Sequence, residues 1–527
     1  MWKLICVSLV LWGTLFCACT SPTPPKAAVN FLNNKQLKNS QKIKQLLSEG
    51  HPDLNISKLE LAKLYSFYKS SGFQPMHLDT AGFSPSGKKW HQSILRHEFF
   101  GIPAQRILFS KNQSLILQDV LLSYNIGVLT QDLDSGFINF ETVQLKPKKW
   151  RQPDKNWFNN PKNTDSILLC RGPIDSNYRY FATHLYHFRD TAQLDTIAFL
   201  LTEEKEDKAK AWASLKNALI SLNFINSTSD SLQIRQALKL FQSKHGLNPD
   251  GKIGVATTLC MKESSREKFE RAMLNLDKLR QAPKRPENFV WVNIPSFELQ
   301  FVAADTLRAS HRIIVGKTDH PTPTLTSQIS RIVSLPFWRV PSSIAQKEVL
   351  PALKRNPNYL GKEHMRIYRA KNVEVDPKKV NWKKIKENTF PYQIIQDPGP
   401  WNSLGLVKFE FANSFSVYVH DTPSRNLFKQ NFRSFSHGCM RCELPIELGK
   451  TILTFDQRNK KLNPISADSL QTLIDQEIHQ NIPLLKPLPI FVEYNTVCAN
   501  LNGLYFYIDL YQKDKAYLAL IRSKNNG

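Results

Sequence analysis

Phe415–Arg441 reads FSVYVHDTPSRNLFKQNFRSFSHGCMR, and this stretch decides how the remainder of the chain is understood. Phe415–Val419 has the character of a strand and delivers His420 at its end. Residues 421–435 intervene, and Ser436-His437-Gly438-Cys439-Met440-Arg441 follows. A cysteine nucleophile needs a base within hydrogen-bond reach, and a further group to hold that base in the right tautomer. It also needs backbone N–H donors aimed at the oxyanion that develops on the substrate. Gly438, directly before the thiol, lets a substrate carbonyl come close to the backbone. Cys439 is therefore a candidate nucleophile and His420 its candidate base.

Strand-like runs recur upstream at Phe289–Ile294, Glu298–Val302, Arg312–Gly316, Ile329–Leu335 and Leu406–Phe411. They predict a sheet-rich domain over residues 288–527. A helical, Lys-rich stretch interrupts it, and an insertion at about 344–395 beside a catalytic sheet reads either as a lid or as a passive elaboration. The expected fold class is α+β and multidomain, in keeping with 527 residues, too many for one hydrophobic core.

Before the strands the period is helical. Ser264–Arg280 reads as a basic helix leading to a Pro-rich joint at Pro283-Lys284-Arg285-Pro286, so residues 264–287 are expected to connect two units. Residues 203–263 form a compact unit: a helix at Glu203–Leu222, then a helix from Ser231 to His245 capped by Asp230, with Ile234, Leu238 and Phe241 on one face. Gly246-Leu247 and Asp250-Gly251-Lys252-Ile253-Gly254 make the turn that follows. Residues 51–202 are expected to form a helical scaffold, with helices near Leu59–Tyr68 and Asp119–Leu133, the latter ending at Gly136. Residues 20–50, opened by Ser21-Pro22-Thr23-Pro24-Pro25, read as a linker.

The first residues point to export. Met1-Trp2-Lys3 precedes an apolar run from Leu4 to Cys19, too short to span a bilayer and suited to a signal-peptide core over 1–19. Ala18-Cys19 resembles a lipobox, which would make Cys19 a lipidated residue; ordinary cleavage is the alternative. Beyond the leader stand Cys170, Cys260, Cys439, Cys442 and Cys498, an odd number that does not make a disulfide framework. Charge balance is 70 − 45 = +25, which suits anionic wall polymers or lipid headgroups. No nucleic-acid-binding signature accompanies it, so no nucleic-acid partner is expected.

His420, the gap over 421–435 and Ser436-His437-Gly438-Cys439 resemble the signature of the L,D-transpeptidase (YkuD-type) catalytic domain. Ile313-Ile314-Val315-Gly316-Lys317, Pro321-Thr322-Pro323, Trp338-x-Val340-Pro341, Asp397-Pro398-Gly399-Pro400-Trp401-Asn402-x-Leu404-Gly405 and His420-Asp421-Thr422-Pro423-Ser424-Arg425 match as well. The 203–263 unit resembles a small peptidoglycan-binding domain, and the whole resembles the large, lid-bearing YcbB-like branch. Two departures stand out: Ile395, where Arg is expected, and Cys442, where an aliphatic residue is usual.

The resemblance implies roles. Cys439 would be the nucleophile and His420 the proton acceptor and donor, oriented by a carbonyl at or near Asp421. His437 would shape the pocket, Arg441 would bind a substrate carboxylate, and Tyr418, Ser436 and Gly438 would line or form the site. The implied reaction takes a tetrapeptide stem, releases D-Ala, forms a thioester and ends in a 3→3 cross-link, with inhibition by carbapenem-type β-lactams. A free amino acid or a lipoprotein amine as acceptor stays open. The implied partners are stem peptides, glycan strands, a membrane through the anchor, and other wall enzymes; the location implied is the periplasm, and no cofactor or metal is implied. Water as acceptor would make an L,D-carboxypeptidase, and a non-enzymatic peptidoglycan-binding lipoprotein is a further alternative. Cys439-x-x-Cys442 could also be a redox pair or a reversible off-switch, and His420, His437, Cys439 and Cys442 are residue types that zinc accepts.

Overall fold

The structure is a computed structural model and describes residues 34–109, 114–159, 163–191, 194, 207–456 and 467–522. Cys19, with the leader and the start of the linker, lies outside the described residues, as do 203–206 of the helix expected at Glu203–Leu222.

Four hydrophobic cores organise the described residues. The first is helical. α1 (Asn34–Glu49), α2 (Lys58–Lys69), α3 (Leu115–Ser135) and α4 (Ser176–Thr191) build it. α3 is apolar nearly all round and buried on most of its faces, as a central helix must be. Its polar residues are paired: Asp132 accepts from Arg106 Nε and Nη2 at 2.6 and 2.7 Å, and Asp119 from the Tyr68 hydroxyl and His77 N–H, both at 2.7 Å. α1 corrects the expected linker: Ile43 and Leu47 are buried in this core, so the tether does not reach residue 50.

α5 (Lys208–Ser221), α6 (Ser231–Lys244) and α7 (Val255–Met261) enclose a small second core of Leu215, Leu219, Ile234, Leu238, Phe241 and Met261. Asp230 and Gln233 form a full capping box at the start of α6. α8 (Ser265–Gln281) is no exposed connector: Phe269, Met273 and Leu276 belong to the first core, and Asp277 accepts the Phe137 and Ile138 N–H groups at 3.0 Å.

The third core lies inside a closed sheet. Its strands are β1 (Phe289–Asn293), β2 (Glu298–Ala303), β3 (Thr306–Gly316), β4 (Leu325–Ser334), and, after the insertion with β5 (Trp338–Arg339), β6 (Met365–Arg369), β7 (Val373–Val375) and β8 (Gln393–Gln396), β9 (Val407–Phe411), β10 (Val419–His420), β11 (Ser434–Ser436), β12 (Met440–Cys442) and β13 (Gln480–Glu493). The large sheet runs β11-β3-β12-β10-β9-β4-β13-β1-β2, and β2 pairs in turn with β3, which closes it. Val292, Leu299, Phe301, Ile313, Phe409 and Val419 face inward, with α9 (Pro445–Asp456) and α10 (Ala467–Asp475) supplying Leu448, Ile452 and Leu470.

The insertion is not the helical stretch expected. Its own four-stranded sheet, β7-β6-β8-β5, packs with short helices on a fourth core of Val340, Leu350, Leu353, Ile367, Trp382 and Ile394. The chain end also departs from a sheet domain running to residue 527. β14 (Val497–Asn500), β15 (Gly503–Phe506) and α11 (Lys515–Arg522) return to the helical core, placing Val497, Phe506 and Ile521 there. Asn275 bonds both Thr496 Oγ1 and N at 2.9 and 3.0 Å, and Lys278 pairs with Asp514 at 2.8 Å, so α8 fastens this tail.

Candidate active site

β10 and β12 lie side by side and parallel, with Val419 opposite Met440 and His420 opposite Arg441. Val419, Met440 and Cys442 are buried in the barrel core. Side chains alternate across a strand, so Tyr418, His420, Cys439 and Arg441 share the opposite face. Lys408 of β9, cross-strand from His420, joins them. The sequence did not single out Lys408; its ammonium stands 4.1 Å from the centroid of the Tyr418 ring.

This face sets the protonation of the pair. Burial, reinforced by Arg441, pulls His420 down to about 3, against the carbonyls of Asp421 and Leu404 that favour its cation. At neutral pH the imidazole is a neutral base. Nδ1 makes no aligned hydrogen bond, so these carbonyls orient it only loosely. Burial likewise pushes the Cys439 thiol up, opposed by Tyr418, Lys408 and Arg441. The resting pair is thus thiol and imidazole, with the base role falling to His420 during attack. Tyr418 reaches both partners: its ring lies 5.6 Å from that of His420, and its hydroxyl faces Cys439 and Trp338.

The turn around the thiol is clamped. Ser436 Oγ accepts from Gly438 N–H at 3.2 Å and donates to the Cys439 carbonyl at 2.6 Å. Ser436 therefore shapes the turn and is not a lining residue. Gly438 has φ +111°, a backbone conformation that side chains strain to adopt. The Asp421 carboxylate is committed to structure, accepting the Leu406 and Thr422 N–H groups at 2.8 and 2.7 Å and pairing with Arg425. Arg441 is mostly buried and makes no ion pair among the described residues; its Nε has no hydrogen-bond partner. His437 reaches the insertion, where its Nε2 stands 2.8 Å from Glu348 Oε1. Ile395 lies cross-strand from Arg339 and Arg366, inside the insertion's sheet.

Cys442 points into the core from the face opposite Cys439, which rules out an intrastrand disulfide between them without unravelling β12. Among the described residues no group of His, Cys, Asp and Glu is arranged to hold a metal.

A sequence profile of the L,D-transpeptidase catalytic domain (YkuD) matches residues 287–457. The chain carries an L,D-transpeptidase catalytic domain. A Haemophilus influenzae protein described as an L,D-transpeptidase is 30% identical over 246 residues, 47% of this chain and 48% of that protein. The match thus spans about half the length of that relative. Among solved structures, an L,D-transpeptidase from Stackebrandtia nassauensis is 12% identical, covering 58% of this chain and 98% of its own at TM-score 0.19. An Enterococcus faecium L,D-transpeptidase mutant is 10% identical, covering 40% and 52%, also at 0.19. Superpositions at these scores carry no weight for the site. The L,D-transpeptidase segment holds β1–β12 and both members of the Cys–His pair, whereas β13 and the tail lie beyond it.

Proposed function

We propose that this L,D-transpeptidase domain cross-links peptidoglycan stem peptides through Cys439. The observation that carries the reading is the pairing of β10 with β12, which sets Cys439 and a neutral His420 on one face beside Arg441, whose guanidinium makes no ion pair among the described residues. In the reaction, His420 takes the thiol proton as sulfur bonds to the carbonyl carbon between the third stem residue and the terminal D-Ala. The carbonyl electron pair moves to oxygen and then returns, breaking the C–N bond, and His420 gives its proton to the departing D-Ala amine. The resulting thioester is attacked by the side-chain amine of a second stem, which regenerates the thiol and leaves a 3→3 cross-link. Arg441 holds a carboxylate of the donor stem, since a guanidinium matches it in two hydrogen bonds. No cofactor takes part.

The apolar Leu4–Cys19 run and the +25 charge support an exported, periplasmic chain, lipid-anchored at Cys19 and acting against an anionic wall, in cooperation with enzymes that supply tetrapeptide stems. The test is intact-mass analysis of the protein mixed with a tetrapeptide donor and no amine acceptor. A stem-peptide adduct on Cys439 with D-Ala released, absent from Cys439→Ala, supports the reading. Tripeptide release with no transfer when an amine is supplied would make the chain an L,D-carboxypeptidase. Binding to sacculi with no chemistry would make it a wall-binding protein.

A further inference from the structure

Four backbone groups of Gly438 and Cys439 surround the thiol, and three are spoken for. Ser436 Oγ takes the Gly438 N–H and the Cys439 carbonyl. Thr322 Oγ1 donates to the Gly438 carbonyl at 2.9 Å. The fourth, the Cys439 N–H, donates no hydrogen bond among the described residues. Across a trans peptide the C=O and N–H point opposite ways, so holding the Gly438 carbonyl fixes where the Cys439 N–H aims.

Thr322 is itself held. It is fully buried, and its hydroxyl accepts from Gly316 N–H at 2.9 Å. A Cβ on Gly316 would sit 2.1 Å from the His320 carbonyl oxygen, so only a bare residue lets the 320–322 turn come this close. One hydroxyl then spans the corner: Tyr511 donates to the Gly316 carbonyl at 2.7 Å and accepts from Thr322 N–H at 3.1 Å. Tyr511 belongs to the tail beyond the L,D-transpeptidase segment. Its ring stacks on Tyr494 at 5.6 Å, and its N–H donates to the Tyr494 hydroxyl at 2.7 Å. That hydroxyl donates to Asp509 at 2.6 Å, and α8 holds the neighbouring Asp514.

We infer that Thr322 and Tyr511 are positioning residues that aim the free Cys439 N–H at the oxyanion formed when Cys439 is acylated, so that the helical unit, through the chain's tail, sets the competence of the thiol. The inference rests on the functional reading for its substrate, while the oxyanion step itself is shared by any acylation of the thiol. A buried hydroxyl joining Gly316 to Gly438 would stabilise the corner in any case, so the test needs a readout that a purely structural role leaves alone.

Two rates separate the cases in the chain from about residue 26 onward. Alkylation by iodoacetamide displaces iodide from a saturated carbon and forms no oxyanion; it reports the thiolate and an intact turn. Acylation by a carbapenem does form one: sulfur bonds to the lactam carbonyl carbon, the carbonyl pair moves to oxygen, its return breaks the C–N bond, and the ring nitrogen takes the thiol proton by way of His420. Thr322→Val is expected to slow acylation about 100-fold, the scale for losing one oxyanion donor, with alkylation within about twofold. Thr322→Ser, which keeps the hydroxyl, should restore acylation to within about threefold. Tyr511→Phe keeps the ring stack and should slow acylation about fivefold to tenfold, as a support one bond further removed. With stem peptide the loss should fall on kcat and leave KM within about threefold.

Equal acylation by Thr322→Val and the parent, or parallel loss of acylation and alkylation, would overturn the proposal. A parent chain that is acylated but never transfers a stem peptide would overturn the functional reading and leave this inference standing. A parent that is alkylated but never acylated would overturn both.

Discussion

Arg441→Met should make the protein more stable and less active. Arg441 is mostly buried, has no ion pair among the described residues, and carries an Nε with no hydrogen-bond partner; burial pulls its pKa down. An unpaired charge held out of water costs folding energy, and replacing even a buried ion pair with apolar groups of similar volume can stabilise a protein by about 1–4 kcal/mol. Arg441 keeps some solvent contact, so about 1–2 kcal/mol is the fitting share, or roughly 2–8 °C in Tm for a domain of this size. Activity should move the other way. A hydrogen bond to a charged group contributes about 1.5–3 kcal/mol, so losing the carboxylate contact should lower kcat/KM by about 10- to 100-fold. Thermal denaturation and steady-state D-Ala release on the same preparations give both signs. A lower Tm would mean that Arg441 is structurally paired, and an unchanged kcat/KM would mean that it touches no substrate; either result refutes the reasoning.

Cys442→Val should leave activity within about twofold, and the parent kept in oxidising buffer should retain free thiols at both Cys439 and Cys442, since Cys442 is buried on the other face; a Cys442-dependent loss of two hydrogens by mass spectrometry would contradict this. Glu348→Gln breaks a half-exposed pair with His437 that contributes about 0.2–1 kcal/mol, so Tm should stay within about 2 °C while amide exchange over 342–355 speeds up; unchanged exchange would mean the contact does not hold the insertion down. Alkylation of Cys439 should rise with pH up to and beyond 9, because burial raises the thiol, and should show no step near pH 6, because His420 at about 3 is already neutral there; a step near 6 would signal a thiolate–imidazolium pair. Acid should destabilise the fold. Below pH 6.5 the unfolded chain takes up protons that His77 and His420, each at about 3, refuse, so their contribution is complete above 6.5 and lost as pH falls toward 3. His245, held well below its ordinary value by burial, adds to this loss, and Asp119, raised to about 6, offsets about one proton, so stability read from urea titrations should fall between pH 6 and 4; a stability that rises over this window would contradict these shifts.

The sequence was most informative where chemistry and local order coincide. His420 and Cys439 were legible because a strand end and a Gly-Cys turn carry their own signals, and the barrel strands because β-rich runs stand between turn residues. The insertion's sheet was not: β7 spans Val373–Val375 and β8 Gln393–Gln396, too short to show alternation amid lysines. α1 was masked by a polar composition, since among its described residues only Ile43 and Leu47 are deeply buried. Ser436 was placed in the site, but its role as a clamp depends on where its hydroxyl turns. Thr322 and Tyr511 were out of reach as functional residues, because their bonds to Gly438 and Gly316 join positions more than a hundred residues apart and no period reports such a contact. His437 was expected to shape the pocket, but its contact with Glu348 was out of reach, because Glu348 stands on a segment whose course the sequence does not dictate.

The central claim is that Cys439 transfers one stem peptide to another. The direct measurement is digestion to muropeptides after incubating tetrapeptide-rich peptidoglycan with the soluble chain, with tandem mass spectrometry locating the new bond. The account predicts a dimer that has lost one D-Ala and is joined between the third residues of two stems, formed by the parent and not by Cys439→Ala. A dimer that forms equally with Cys439→Ala, or no dimer from a parent whose thiol is shown to be free, would contradict it.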